Sequence, residues 1–187
     1  MSGSGTITKP AGTVAGDFMM IFGPYGGSVS GPTGGWINYN MYWPGYGYTS
    51  ISYRKVLTET DIAGSITISS VSYGPIITVV YRGPTSASLL AQNSGQDGTG
   101  LALTHSTGRA STSMGWMSWV TDRDGSGTAA PPAGWTSRTG PNASGVFTGS
   151  VADQLNFSSL PTSSGTPTWT GFGTTYSQVG FLFEFLP

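Results

Sequence analysis

The chain has 187 residues, no cysteine, seven basic and eight acidic side chains, and a formal net charge of −1. Disulfides and thiolate metal sites are therefore excluded, and a single histidine cannot supply a usual zinc set. Charged residues are 8% of the chain against roughly 25% in an ordinary soluble domain, too few for a basic nucleic-acid face or an electrostatic membrane anchor.

In chain order, Met1-Ser-Gly-Ser-Gly-Thr6 has neither the basic nor the apolar region of a secretory leader. Residues 1–11 are read as an extended N-terminal arm lying on a neighbouring protein, ahead of one domain over residues 12–187. Gly16 permits a tight turn, and Asp17 is expected to bond the backbone amides that follow it. Phe18-Met-Met-Ile-Phe22 reads as a strand buried on both faces. Turn clusters follow at Gly23–Gly27 and Gly31–Gly35, then the aromatic stretch Trp36 to Tyr48, then a strand over Ser50 to Leu57. Ile66 and Ile68 alternate with Ser65, Thr67 and Ser69, which is strand periodicity. Ile76-Ile-Thr-Val-Val-Tyr81 is β-branched and nearly continuous, so a central strand buried on both faces is expected, with Arg82 paired at its rim.

The second half repeats this style. Strands are expected over Met114 to Thr121, Gly145 to Val151 and Thr166 to Phe172, with one short helical turn around Val151-Ala-Asp-Gln-Leu155. At the C-terminus Val179, Phe181, Phe183 and Phe185 share one face, and Gln178, Gly180, Leu182 and Glu184 take the other. No apolar run approaches the ~20 residues a membrane span needs. Eight or more short strands punctuated by Gly and Pro indicate an all-β, jelly-roll-like antiparallel β-sandwich in a single domain. One pattern recurs: Pro32-Thr-Gly-Gly-Trp36 and Pro131-Pro-Ala-Gly-Trp135 each put Pro and Gly just ahead of a tryptophan that starts a strand. They read as two equivalent strand starts, at one end of the sandwich.

No catalytic constellation emerges. His105 in Thr104-His-Ser-Thr-Gly108 has serines nearby but no G-x-S-x-G elbow, so it reads as a loop histidine. Asp122-Arg-Asp-Gly-Ser-Gly127 has the start of a calcium loop, with Asp122 and Asp124 at positions one and three. Position twelve, however, is Ala133, and Pro131 and Pro132 preclude the following helix, so the segment reads as a hairpin tip without a metal or other cofactor. The strongest binding candidate is the aromatic cluster Trp36, Tyr39, Tyr42, Trp43, Tyr46 and Tyr48. Flat rings beside glycine can stack on a sugar, anchor a neighbouring subunit or fold onto one another.

Taken in order, Ile7-Thr-Lys-Pro-Ala-Gly12, Ala15-Gly-Asp-Phe-Met-Met-Ile21, Gly34-Gly-Trp36, Val79-Val-Tyr-Arg-Gly83, Pro131-Pro-Ala-Gly-Trp135, Val151-Ala-Asp-Gln-Leu155 and the closing strand at Val179 to Phe185 form a set. The set resembles small virion-associated β-sandwich proteins of tailed bacteriophages, of head-decoration or tail-surface type. The resemblance implies a non-enzymatic virion structural protein, most simply a capsid decoration or cement protein made in the host cytoplasm. Its expected partners are other virion proteins and copies of itself in a homo-oligomer, with no nucleic acid and no membrane insertion. The alternative is a tail-fibre or tail-tip adhesin that uses the aromatic cluster on a host surface glycan.

Overall fold

A computed structural model describes residues 4–30, 32, 34–42, 48–72, 76–95, 100–106, 110–123, 129–144, 147–155, 165–172 and 178–187. Within these, residues 4–5, 24–30, 42, 48–51, 69–72 and 140–144 are described by backbone alone. The fold is all-β, as the period-two patterning predicts. One sheet holds six strands: β1 (Ser4–Ile7), β2 (Phe18–Ser30), β3 (Ile37–Tyr42), β4 (Tyr48–Val56), β5 (Ile66–Ser72) and β6 (Ile77–Tyr81). A five-stranded sheet is made of β7 (Ser86–Gly95), β9 (Gly115–Asp122), β10 (Thr136–Ser144), β11 (Phe147–Gln154) and β13 (Gln178–Leu186). A two-stranded ladder joins β8 (Leu101–Ala102) to β12 (Thr168–Trp169). Every pairing is antiparallel.

The central strands β2, β9, β11 and β13 are buried on both faces, which explains the apolar stretches within them. Between the two sheets lies the main core: Phe18, Met20 and Phe22 of β2 with Val79 and Tyr81 of β6 meet Met117 and Trp119 of β9 and Val179, Phe181, Phe183 and Phe185 of β13. Phe22 and Trp119 stack at 5.2 Å, and Trp119 stacks on Phe181 at 5.5 Å. The alternate residues of β2, Met19 and Ile21, face outward into a second cluster with Ile7, Tyr53, Leu57, Ile66 and Ile68. On the far side Trp116, Val120, Ala152 and Leu182 are covered by Leu101 and Trp169 of the small ladder and by Leu103 and Phe172 just beyond its strands. Each fully buried Phe, Met or Leu of these clusters contributes roughly 1.5–3 kcal/mol of transfer free energy.

The two sheets are built alike. In the first, β2 leads through Trp36 into β3, which turns back as β4 to pair with β2; in the second, β9 leads through Trp135 into β10, which turns back as β11 to pair with β9. Even the register matches, since Ile37 faces Arg54 and, 99 residues on, Thr136 faces Asp153. The β1–β5 pair, which continues the first sheet through β5 and β2, covers its outer cluster much as the separate β8–β12 ladder covers that of the second. Turns also correspond: Thr13 N donates to Pro10 O at 3.3 Å and Ser113 N to Ala110 O at 3.0 Å. The two Gly-Trp motifs are thus equivalent strand starts, each tryptophan packing on the outer cluster of its own sheet.

Several expectations change. Val151 to Gln154 is strand, paired to β9 and β10, and not a helical turn; burial of Val151 and Ala152 in a central position overrides local helix propensity. The helical turn lies instead at α1 (Glu59–Ala63), where Thr58 and Asp61 form a capping box. Lys9 Nζ donates to the carbonyl oxygens of Asp61, Ile62 and Gly64 at 2.6–2.9 Å, closing the C-terminal end of that turn. β6 pairs with β2 alone among the described residues, so it is an edge and not a central strand. Of residues 1–11, read as an arm on a neighbour, Ser4–Ile7 pair with this chain's own β5, and Ile7 is buried in the outer cluster.

Candidate functional site

Among the six predicted aromatic residues, the two with described side chains part company. Trp36 is half-buried on the outer cluster, whereas Tyr39 is half-buried against the main core, with its ring 5.8 Å from Phe183. Three residues of extended chain put them on opposite faces of the sheet. Tyr39 is also engaged by Arg54, whose guanidinium lies 4.3 Å over the ring and whose Nη2 donates to the phenol oxygen at 3.0 Å. Arg54 is buried, and the faces of Tyr39 and Phe183 supply the negative potential that a carboxylate would otherwise give it. Tyr42 and Tyr48 belong to β3 and β4 by backbone, while Trp43 and Tyr46 lie outside the described residues.

The position equivalent to Arg54 in the second sheet is Asp153. Its Oδ2 accepts from Arg138 Nε at 2.6 Å and from Tyr81 Oη at 2.9 Å, so a residue of β6 is tied to β10 and β11 across the core. Burial first, and then the Asp153 charge, push the Tyr81 phenol well above its ordinary range, so it stays a donor. At the rim Asp17 receives a bidentate Arg82, at 2.9 and 3.2 Å, and the amide of Val14 at 2.9 Å. Arg82 is the expected partner. The amide, however, is one that precedes Asp17 and not one that follows. Bonding to Arg82 and then to Val14 holds the Asp17 carboxyl below the usual carboxylate range.

Sequence reasoning missed two concave features. A cavity of about 540 Å³ opens on the outer side of the second sheet, between Trp116, Trp135 and Pro132 on one hand and Gln154, Thr166 and Thr168 on the other. Flat apolar walls edged by an amide and hydroxyls suit a small polyhydroxylated ligand, and none of the lining side chains is ionisable. Its tryptophan motif was visible in the sequence, but the remaining wall comes from three distant segments, at Trp116, Gln154 and Gly165 to Thr168, brought together by strand register. A groove of about 390 Å³ runs along β6 from Thr78 to Arg82, with Pro10, Arg138 and Leu155 around it.

His105 is buried, its ring edge-on to Trp116 at 4.5 Å, and its backbone bridges to Gly165. Asp122 is the buried last residue of β9, and Asp124 lies outside the described residues. Among the described residues no three His, Asp or Glu side chains gather as metal ligands would. No family model matches the chain, and neither a curated protein nor a solved structure matches it.

Proposed function

We propose that this chain is a non-enzymatic structural protein of a bacteriophage particle, of the capsid decoration type, working in contact with other virion proteins and copies of itself. One observation carries the reading: among the described residues most of the few charges are paired or engaged within the chain, although Arg82 and Arg138 keep part of their side chains in water. Lys9 closes the α1 turn, Lys55 pairs with Asp61, Arg82 with Asp17 and Arg138 with Asp153, while Arg54, Asp122 and Glu184 are buried. The surface that remains is rich in Gly, Ser and Thr, with Ile37 56% and Val14 47% exposed. Such a surface lacks the charge that normally keeps isolated β proteins apart, and suits one that works packed against neighbours. The sequence motifs that resemble virion sandwich proteins point to the particle as the setting. The test is addition of purified protein to phage particles that lack it, followed by co-sedimentation. Saturable, stoichiometric uptake is expected, and a chain left wholly in the supernatant would refute the role.

The Trp135 cavity favours a second reading, a tail adhesin that binds a host glycan. On that reading Trp135→Ala abolishes adsorption to host cells with particle occupancy unchanged. On the decoration reading adsorption is untouched.

A further inference from the structure

The two equivalent halves differ at one edge. β13 pairs with β9 on one side and with β7 on the other, over nine residue pairs from Gln178↔Gly95 to Leu186↔Ser86. β6, its counterpart, pairs with β2 on one side, and among the described residues no strand covers the other. The groove bordered by Pro10, Arg138 and Leu155 runs along that open side. An open edge presents a row of unpaired N–H and C=O groups, and isolated proteins guard such edges with charge, proline or a bulge. Within β6 itself none is present, and the Pro10 and Arg138 that border the groove lie outside the strand. Ile76 to Tyr81 contains no Pro, Gly or charged residue, the pairing with β2 runs without a register shift, and Arg82 just beyond is held by Asp17.

We infer that β6 pairs antiparallel with β6 of a second copy of this chain, joining two six-stranded sheets across a two-fold axis at Val79. Identical edges can be self-complementary about such an axis, and every strand pair within the chain already runs antiparallel. About Val79, Ile77 faces the partner's Tyr81, both from the face that lines the main core, so the two cores meet. Thr78 faces Val80 on the opposite face, and Arg82 falls opposite Ile76, so the two copies of Arg82 do not face each other. With a net charge of −1 per chain there is little long-range repulsion to overcome.

The chain has no cysteine, so single cysteines report the register cleanly. Facing residues of an antiparallel pair have Cβ atoms roughly 4.5–5.5 Å apart. Residues one step off the axis are displaced from their own copies by about 6.8 Å along the strand, beyond disulfide reach. Sedimentation velocity on the unmodified chain is expected to show a monomer–dimer equilibrium that shifts with concentration. Val79→Cys is expected to oxidise to a covalent dimer, whereas Thr78→Cys alone and Val80→Cys alone stay monomeric. Mixing those two variants should give the mixed 78–80 disulfide, which keeps the test open should Val79→Cys fail to fold. A monomer at every soluble concentration, or equal cross-linking of all variants, would overturn the inference, as would a dimer whose cysteines 79, or 78 with 80, stay reduced. The inference is separable from the virion role: a strictly monomeric chain that still saturates particles sinks the dimer and leaves that role standing.

Discussion

Glycines in the second sheet set the tightest constraints at the residue scale. Gly115 has φ +146°, and a Cβ there would lie 2.7 Å from Leu155 Cδ2 and 2.9 Å from the carbonyl oxygen of Gln154. Gly180, in the middle of β13, has no such backbone demand, but its Cβ would meet Leu101 Cδ2 at 2.8 Å and Val120 Cγ1 at 3.0 Å. Overpacking of this kind costs about 1–3 kcal/mol. Denaturant titration should therefore place Gly180→Ala in that range below the parent and Gly115→Ala lower still, because it adds backbone strain. The ionisable residues give a pH profile with a determined sign. The Asp17 carboxyl titrates lower in the folded chain than at about 3.9 in the unfolded one, so its stabilisation is complete above that value and disappears as pH falls through the folded value. Asp17→Asn should flatten the acid limb of stability against pH. Burial pushes the Tyr53 phenol up to about 12 and Tyr81 is raised as well. Since unfolded tyrosine ionises near ~10, stability should drop as pH rises from there toward the folded values. Tyr53→Phe should reduce that alkaline loss. Residue-scale reading of the sequence found the Asp17 turn and a paired Arg82, but it grouped Trp36 with Tyr39. Their odd spacing in an extended segment already separates them, and strand parity was the overlooked information.

Elements were legible wherever alternation is strong. The β13 run shows its two faces directly in Val179, Phe181, Phe183 and Phe185 against Leu182 and Glu184, and β2 declares itself through unbroken apolar residues. β11 was not legible at its C-terminal end, because Ala152, Asp153 and Gln154 favour a helical turn locally and only pairing with Met117, Ser118 and Trp116 makes them strand. The likeness of the two sheets left a single trace in the sequence, the two Gly-Trp motifs. Elsewhere equivalent sites hold unlike chemistry: Arg54 over Tyr39 in one half, Asp153 bonded to Arg138 in the other. The small β8–β12 ladder depends on Trp169, which is fully buried and donates its indole N–H to Ser118 Oγ at 2.8 Å. Trp169→Ala should cost about 3–5 kcal/mol, and hydrogen exchange should show Leu101 and Leu103 losing protection before the central strands do.

For the whole molecule, the decisive property is how few charges the chain has and how many of the described ones are paired within it. A sandwich of this size ordinarily advertises its independence through charged edges, whereas here ion pairs such as Arg138–Asp153 sit at buried carboxylates and the β6 edge is plain. That arrangement is tolerable in a molecule shielded by neighbours and hazardous in one that is alone. Restoring charge should therefore separate solubility from assembly: Ile37→Lys, at an exposed position on the outer strand β3, is expected to raise the solubility limit with less than ~0.5 kcal/mol change in stability. Cryo-electron imaging of phage particles incubated with this protein tests the proposed virion role most directly. Expected is a regular array of sandwich-shaped densities seated on a capsid or tail protein, with the glycine- and serine-rich faces covered by neighbours. Particles whose surface lacks that density, from a preparation in which the protein stays free and monomeric, would contradict it.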